Sequence, residues 1–156
     1  MAVERLTPEQ AWATLGNGAC YLDLRAAVEF EAGHPEGAFN VVWHEEGVSE
    51  VVARERFLKV VEAQFTKETP LIVACAAGLA SPEAAALLVE AGFVRVYEVP
   101  AGYVGRLSPF GEIVEKGWRA LGLPIAAGRP TGRSWVDLRA RSERHPGASV
   151  EEACAS

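Results

Sequence analysis

The sequence predicts an α/β fold: an open, mostly parallel sheet flanked by helices on both faces. Three observations carry that prediction. Short apolar runs alternate with helix-like segments along most of the chain. One run, Leu71-Ile72-Val73-Ala74, is continuously apolar, as a central parallel strand covered on both sides must be. The chain has 156 residues, 49% of them hydrophobic, which suits one domain with its own core.

The elements follow in order. Thr7-Pro8-Glu9-Gln10 starts a helix: Thr7 caps it, Pro8 suits the first helical position, and Gln10 completes a capping box. That helix stops at Gly16-Asn17-Gly18. Cys20-Tyr21-Leu22 is a short buried strand ending at Asp23. Val28 to Ala32 forms a short helix closed by Gly33, and Phe39 to Trp43 a second strand. Between Ser49 and Phe65, Val52, Phe57, Val60, Val61 and Phe65 recur near helical spacing. Thr69-Pro70 breaks that helix before the Leu71–Ala74 strand. Ser81 reads as an N-cap, with Pro82 and Glu83 in the first turn of a helix that ends at Gly92. Phe93 to Val99 is a strand, Pro100-Ala101-Gly102 a turn, and Val104 to Gly117 a helix interrupted by Pro109 and Gly111.

After Pro124 the hydrophobic periodicity disappears. The expected division is a domain over residues 1–125 and a polar Arg/Gly/Pro-containing extension over 126–156, loosely packed. Trp135 stands out there as a residue to dock the extension onto the domain or a second subunit. Asp137-Leu138-Arg139-Ala140 repeats Asp23-Leu24-Arg25-Ala26, and His145-Pro146-Gly147-Ala148 echoes His34-Pro35-Glu36-Gly37-Ala38. Chance in an Ala/Arg-rich chain accounts for this slightly better than a remnant second copy.

The formal net charge is −6. Residues 126–156 carry five arginines against four acids, so the negative charge lies in the domain. Such a chain lacks the basic surplus for nucleic-acid phosphates. No apolar run reaches membrane-spanning length, and Met1 to Gln10 has no apolar stretch of a secretory signal. Cys20, Cys75 and Cys154 are widely separated, without CxxC or zinc spacing. The expectation is a cytoplasmic protein with no membrane or nucleic-acid partner, no metal and no cofactor.

Cys75 follows the central strand and precedes a helix start. Ligands of open α/β sheets bind at the carboxyl ends of strands. The small-sided loop lets backbone N–H groups turn toward the sulfur, and a helix N-terminus favours negative charge there. A buried structural thiol fits the same local pattern, since free cysteine is among the most buried residue types, so both readings stand open. Cys20, inside a strand, reads as core, and Cys154 as a bystander.

Tyr21-Leu22-Asp23-Leu24-Arg25, then Glu29-Phe30, Gly33-His34 and Gly37-Ala38-Phe39-Asn40, resembles the first signature of single-domain rhodanese-like sulfurtransferases. Cys75-Ala76-Ala77-Gly78-Leu79-Ala80-Ser81 resembles that family's active-site loop. Ala91-Gly92-Phe93, Ala101-Gly102-Tyr103 and Gly117 to Pro124 match its later landmarks. The resemblance implies a rhodanese-like fold and a two-step sulfur transfer. Cys75 takes a sulfane sulfur from thiosulfate or, better, a thiol persulfide, and passes it to a thiol, cyanide or an acceptor protein. Ala76, Ala77, Gly78, Leu79, Ala80 and Ser81 would bind substrate. Asp23, Arg25 and His34 would be scaffold tying loops together. The alternative is a non-catalytic or weakly catalytic relay or interaction module on the same fold.

One departure bears on substrate. Many thiosulfate-using members carry Arg or Lys in the loop, whereas this one has Ala76, Ala77, Leu79 and Ala80. Arg106 reads as a surface residue rather than the missing cation. Phosphatases and arsenate reductases of this fold use Cys-x5-Arg, and the arginine position here is Ser81, which argues against that chemistry. His44 and the four tryptophans read as surface or packing residues.

Overall fold

The computed structural model of the chain describes residues 3–144. Cys154 and the His145-Pro146-Gly147-Ala148 echo lie outside them. In chain order the elements are β1 (Glu4–Arg5), α1 (Pro8–Leu15), β2 (Cys20–Asp23), α2 (Ala27–Ala32), β3 (His34–Pro35) and β4 (Phe39–Asn40). Then come α3 (Glu50–Gln64), β5 (Leu71–Ala74), α4 (Ser81–Glu90), β6 (Val96–Glu98), β7 (Gly105–Leu107), β8 (Ile113–Lys116), β9 (Ile125–Ala126) and α5 (Trp135–Arg144).

Five strands form one parallel sheet in the order β1-β6-β5-β2-β4. All four residues of β5, at the centre, are buried. Alternate side chains go to opposite faces. Leu71 and Val73 join Phe57, Val60 and Val61 of α3 and Ala84 and Leu88 of α4 in one core cluster. Ile72 and Ala74 join Ala11 of α1, Phe30 of α2, Tyr21 and Trp118 in the other. This double burial is why the strand reads as an unbroken apolar run. Helices therefore cover both faces, as the sequence predicts.

The first capping box forms as read. Gln10 N–H donates to Thr7 Oγ1 at 3.1 Å, and Thr7 N–H to Gln10 Oε1 at 2.9 Å. Ser49 caps α3 through Val52 N–H, and Phe65 closes its other end.

Three expectations change. The segment 104–117 is not a helix but the β7–β8 hairpin. Gly105 and Gly111 take φ of +130° and +83°, and Pro109 removes a donor, all hostile to a helix. The apolar residues at helical spacing face solvent, so no core rewards that period. Ser81 does not cap α4. It is the helix's first residue, follows Ala80, and is turned inward. Finally, residues 135–144 are not a loose tail. They form α5, which packs on α3 and buries Trp135 and Leu138 in the main core. Trp135 thus docks the extension onto the domain. Asp137-Leu138-Arg139-Ala140 is helical here, while Asp23-Leu24-Arg25-Ala26 leaves the end of a strand. The shared letters impose no shared structure. No helix of the described residues is long and apolar enough to cross a membrane.

Candidate active site

Cys75 sits one residue beyond β5, at the carboxyl edge of the sheet, and is 8% exposed. The chain then loops through Ala76 to Ala80 into α4. Gly78 N–H donates to Cys75 Sγ at 3.2 Å. Among the described residues, no acceptor takes the N–H of Ala76, Ala77, Leu79 or Ala80. One backbone donor of the loop thus meets the sulfur and four more are unused, at the positive end of a helix, an arrangement that suits an anion.

Two close approaches hold that loop. A Cβ on Gly78, whose φ is +82°, would lie 2.3 Å from Pro100 O. A Cβ on Gly102, whose φ is +62°, would lie 2.3 Å from Cys75 O and 2.7 Å from Ala76 O. Tyr103 N–H donates to Cys75 O and Val104 N–H to Ala76 O, both at 2.9 Å. The Pro100–Val104 segment is thus a clamp on the loop, and only glycine allows its approach.

The neighbouring strand supplies a second support. The register puts Asp23 opposite Ala74, and Leu24 N–H donates to Ala74 O at 2.8 Å. Asp23 takes Arg25 Nε and Nη2 at 3.0 and 2.8 Å. Arg25 Nη2 also reaches Gly33 O at 2.7 Å, and its guanidinium lies 4.0 Å over the Tyr103 ring. Asn40 Nδ2 donates to the carbonyls of Asp23 and Arg25. Burial opposes the Arg25 charge, but the hydrogen bonds and charge of Asp23 more than offset it and hold the proton more firmly than usual. Through Tyr103 this network braces the clamp. Asp23 and Arg25 accept and donate within the scaffold.

His34 lies apart, in β3, paired with β9. Its ring stacks on Phe30 at 3.6 Å, and Nδ1 lies 2.6 Å from Phe30 O. Burial lowers its pKa below the ordinary 6.5, and the Phe30 bond and Asp23 charge recover only part. The folded state therefore prefers the neutral ring. Its contribution to stability is complete above about pH 6.5 and is lost as pH falls through that value toward the lower folded one. Urea unfolding at stepped pH between 7.5 and 5 will show declining stability. His34→Asn, which keeps a donor but no titration, will flatten that slope. An unchanged slope refutes the assignment.

Other residues take clear positions. Ser81 Oγ donates at 2.8 Å to Glu98 Oε2, a buried carboxylate at the end of β6 that Arg5 also approaches. Its hydroxyl anchors the helix start rather than facing the sulfur. Glu98 escaped sequence reasoning, although an acid inside Val96-Tyr97-Glu98-Val99 is a signal for a paired buried charge. Arg54 joins Glu83 at 2.7 Å and lies 4.6 Å over Trp43, tying α3 to the start of α4. Arg106 pairs with Glu115 at 3.2 Å in the exposed hairpin, so it stays a surface residue. His44 is exposed. The fully buried Tyr21 hydroxyl has no partner among the described residues, and burial raises its pKa well above the ordinary value, so it stays neutral. A cavity of about 440 Å³ beside Trp12, Glu36 and Arg133 includes none of the loop residues.

Known proteins place this geometry in a class. A family model described as the rhodanese-like domain matches residues 7–106. The thiosulfate sulfurtransferase GlpE of Glaesserella parasuis is 37% identical over 101 residues, covering 64% of this chain and 82% of that protein. GlpE of Actinobacillus pleuropneumoniae is 35% identical over 121 residues, covering 77% and 90%. Among solved structures, Rv0390 from M. tuberculosis superimposes with a TM-score of 0.67 at 30% identity, over 82% of this chain and all of that one. Alr3790 from Anabaena sp. shares the fold at 19% identity, with a TM-score of 0.60 over 81% and 96%. The chain belongs to the rhodanese-like domain family and is a sulfurtransferase of the rhodanese type.

Proposed function

We propose that Cys75 is the nucleophile and that a thiol persulfide is a better donor than thiosulfate. The Cys75 thiolate attacks the sulfane sulfur of the donor. The donor's S–S bond breaks, and its electron pair leaves on the departing thiolate or sulfite. Cys75 is left as a persulfide, whose outer sulfur goes to a thiol or cyanide. The loop N–H groups hold the negative charge in both forms, as an oxyanion hole does.

The observation that carries this reading is the Gly78 N–H bond to Cys75 Sγ inside a loop with open donors and no cation. Thiosulfate is a compact dianion that calls for a charge-assisted partner. The helix end supplies only about half a positive charge, and Arg54, the cation tied to the start of α4, is engaged by Glu83. A persulfide brings at most one charge at its reacting end. The setting inferred is a reducing cytoplasm, where Cys75 returns to the thiol between turnovers.

Intact mass spectrometry after incubation with thiosulfate or glutathione persulfide will show one added sulfur. Steady-state kcat/KM will favour the persulfide by about tenfold, the scale of one missing charged hydrogen bond. A clear preference for thiosulfate refutes the donor assignment. The cation-free loop also supports a second reading, a sulfur relay. Such a protein loads sulfur but turns over small acceptors poorly, and the same kinetics separate the two.

A further inference from the structure

Glu98 ends β6 with a carboxylate that is 3% exposed. A buried acid calls for an account, because taking its charge out of water is costly unless it is paired. Its pairing is uneven. Ser81 Oγ donates to Oε2 at 2.8 Å, but a hydroxyl brings no charge. Among the described residues the cation within ion-pair distance is Arg5, whose Nε lies 3.4 Å from Oε1 and whose side chain is 76% exposed. An ion pair so open to water offsets only part of a buried charge. Glu83, in the first turn of α4, differs: it is exposed and meets Arg54 at 2.7 Å.

The sheet puts this charge on the sulfur's side. β5 and β6 run parallel, with Val73 opposite Glu98. Side chains alternate across a sheet. Leu71, Val73 and Cys75 share one core cluster with Val96, while Ile72 and Ala74 share the other with Val99. Glu98, two residues after Val96, therefore lies on the face of Val73 and Cys75, which α4 covers. Cys75 is two residues along and one strand across from it, which at strand spacings is roughly 8 Å. Ser81 is the first residue of α4, so the carboxylate also lies at the helix start into which the Cys75 loop runs. That helix end carries about half a positive charge, and a buried carboxylate opposes it. Buried charges are screened less than exposed ones, so the opposition reaches the loop.

We propose that Glu98 is a specificity-determining residue that limits the charge a sulfur donor can carry into the Cys75 loop. This rests on the Cys75 reading, and it adds a second cause, beside the cation-free loop, for the preference against thiosulfate. Thiosulfate brings two negative charges to the loop, whereas a persulfide brings at most one at its reacting end. The carboxylate repels the first more than the second. Charges on the remote groups of a larger donor stay in water, where they are screened. Arg5 reduces the repulsion from the outer edge of the sheet, where β1 pairs with β6.

The test measures kcat and KM of the full chain with thiosulfate and with glutathione persulfide. Glu98→Gln removes the charge but keeps an acceptor for the Ser81 hydroxyl. Its kcat/KM for thiosulfate will rise about fivefold relative to that for the persulfide, chiefly through KM. Arg5→Gln, at a mostly exposed side chain, will move the ratio the other way by about twofold. The double variant will match Glu98→Gln, since Arg5 acts through that carboxylate. A role in packing alone predicts a different result: both donors lose rate together and the ratio holds. An unchanged or reversed ratio in Glu98→Gln overturns the proposal. If that variant fails to fold, an unchanged ratio in Arg5→Gln overturns it instead. A wild-type preference for thiosulfate strikes the donor assignment, while the sign of the Glu98→Gln shift still decides this one. Failure of wild type to take sulfur from either donor strikes the Cys75 reading itself, and this inference with it.

Discussion

Cys75→Ser is expected to abolish sulfur uptake from thiosulfate and glutathione persulfide while leaving the fold in place. Serine differs by one atom, and its hydroxyl still accepts the Gly78 N–H that now meets the sulfur at 3.2 Å. The loop's hydrogen bond therefore survives, and the melting temperature will move by no more than about 2 °C. Chemistry is lost because a hydroxyl is a weak nucleophile without an adjacent base. Among the described residues the histidines offer none: His34 is buried against Phe30, and His44 is exposed on the surface. Turnover to thiocyanate in the presence of cyanide will fall at least about a thousandfold, the scale seen when a nucleophile is removed. Any sulfur adduct on the serine variant in an intact mass spectrum would overturn the assignment of Cys75.

Gly102→Ala carries the second large effect, through backbone geometry alone. The new Cβ would sit 2.3 Å from Cys75 O and 2.7 Å from Ala76 O, both backbone atoms that no rotamer change relieves. The φ of +62° adds left-handed strain of roughly 1 kcal/mol. Strain and clash together will cost about 3 kcal/mol, or a fall in melting temperature of about 10 °C in a chain of this size. Relief requires the clamp to move away from the loop, and a displacement of about 1 Å at a reacting atom costs on the order of a hundredfold in rate. Gly18→Ala is the control. Its φ is +93° and nothing lies within 4 Å of the added Cβ, so it isolates the strain. It will lose about 1 kcal/mol and no activity. Equal effects from the two substitutions would show that the Gly102 contact does not matter.

Much of this architecture is legible along the chain because it rests on local chemistry. The Thr7 and Ser49 caps, the unbroken apolar run of β5 and the helical stripe of α3 each depend on residues within a few positions of one another. The Cys75 loop and its placement at a strand end are legible for the same reason. The hairpin was misread as a helix because no local pattern shows that Leu107, Phe110, Ile113 and Val114 meet no core. Ser81 was misread as a cap because its partner, Glu98, lies on a neighbouring strand. Helix α5 was missed because its polar sequence shows only two anchors, Trp135 and Leu138, and their burial depends on α3 being there to receive them.

By itself the sequence determined the α/β class, the family, the candidate nucleophile Cys75 and the absence of a cation from its loop. Each of these is written in contiguous residues whose spacing or chemistry has a direct physical meaning. Only the tertiary structure decided that Gly102 presses against the carbonyl of Cys75, that Arg25 reaches the loop through Tyr103, and that residues 105–116 form a hairpin whose base is bonded to the loop. Those facts join residues far apart in the chain. They arise when the parallel sheet brings the ends of β2, β5 and β6 to one edge, and no local pattern records which side chains then meet.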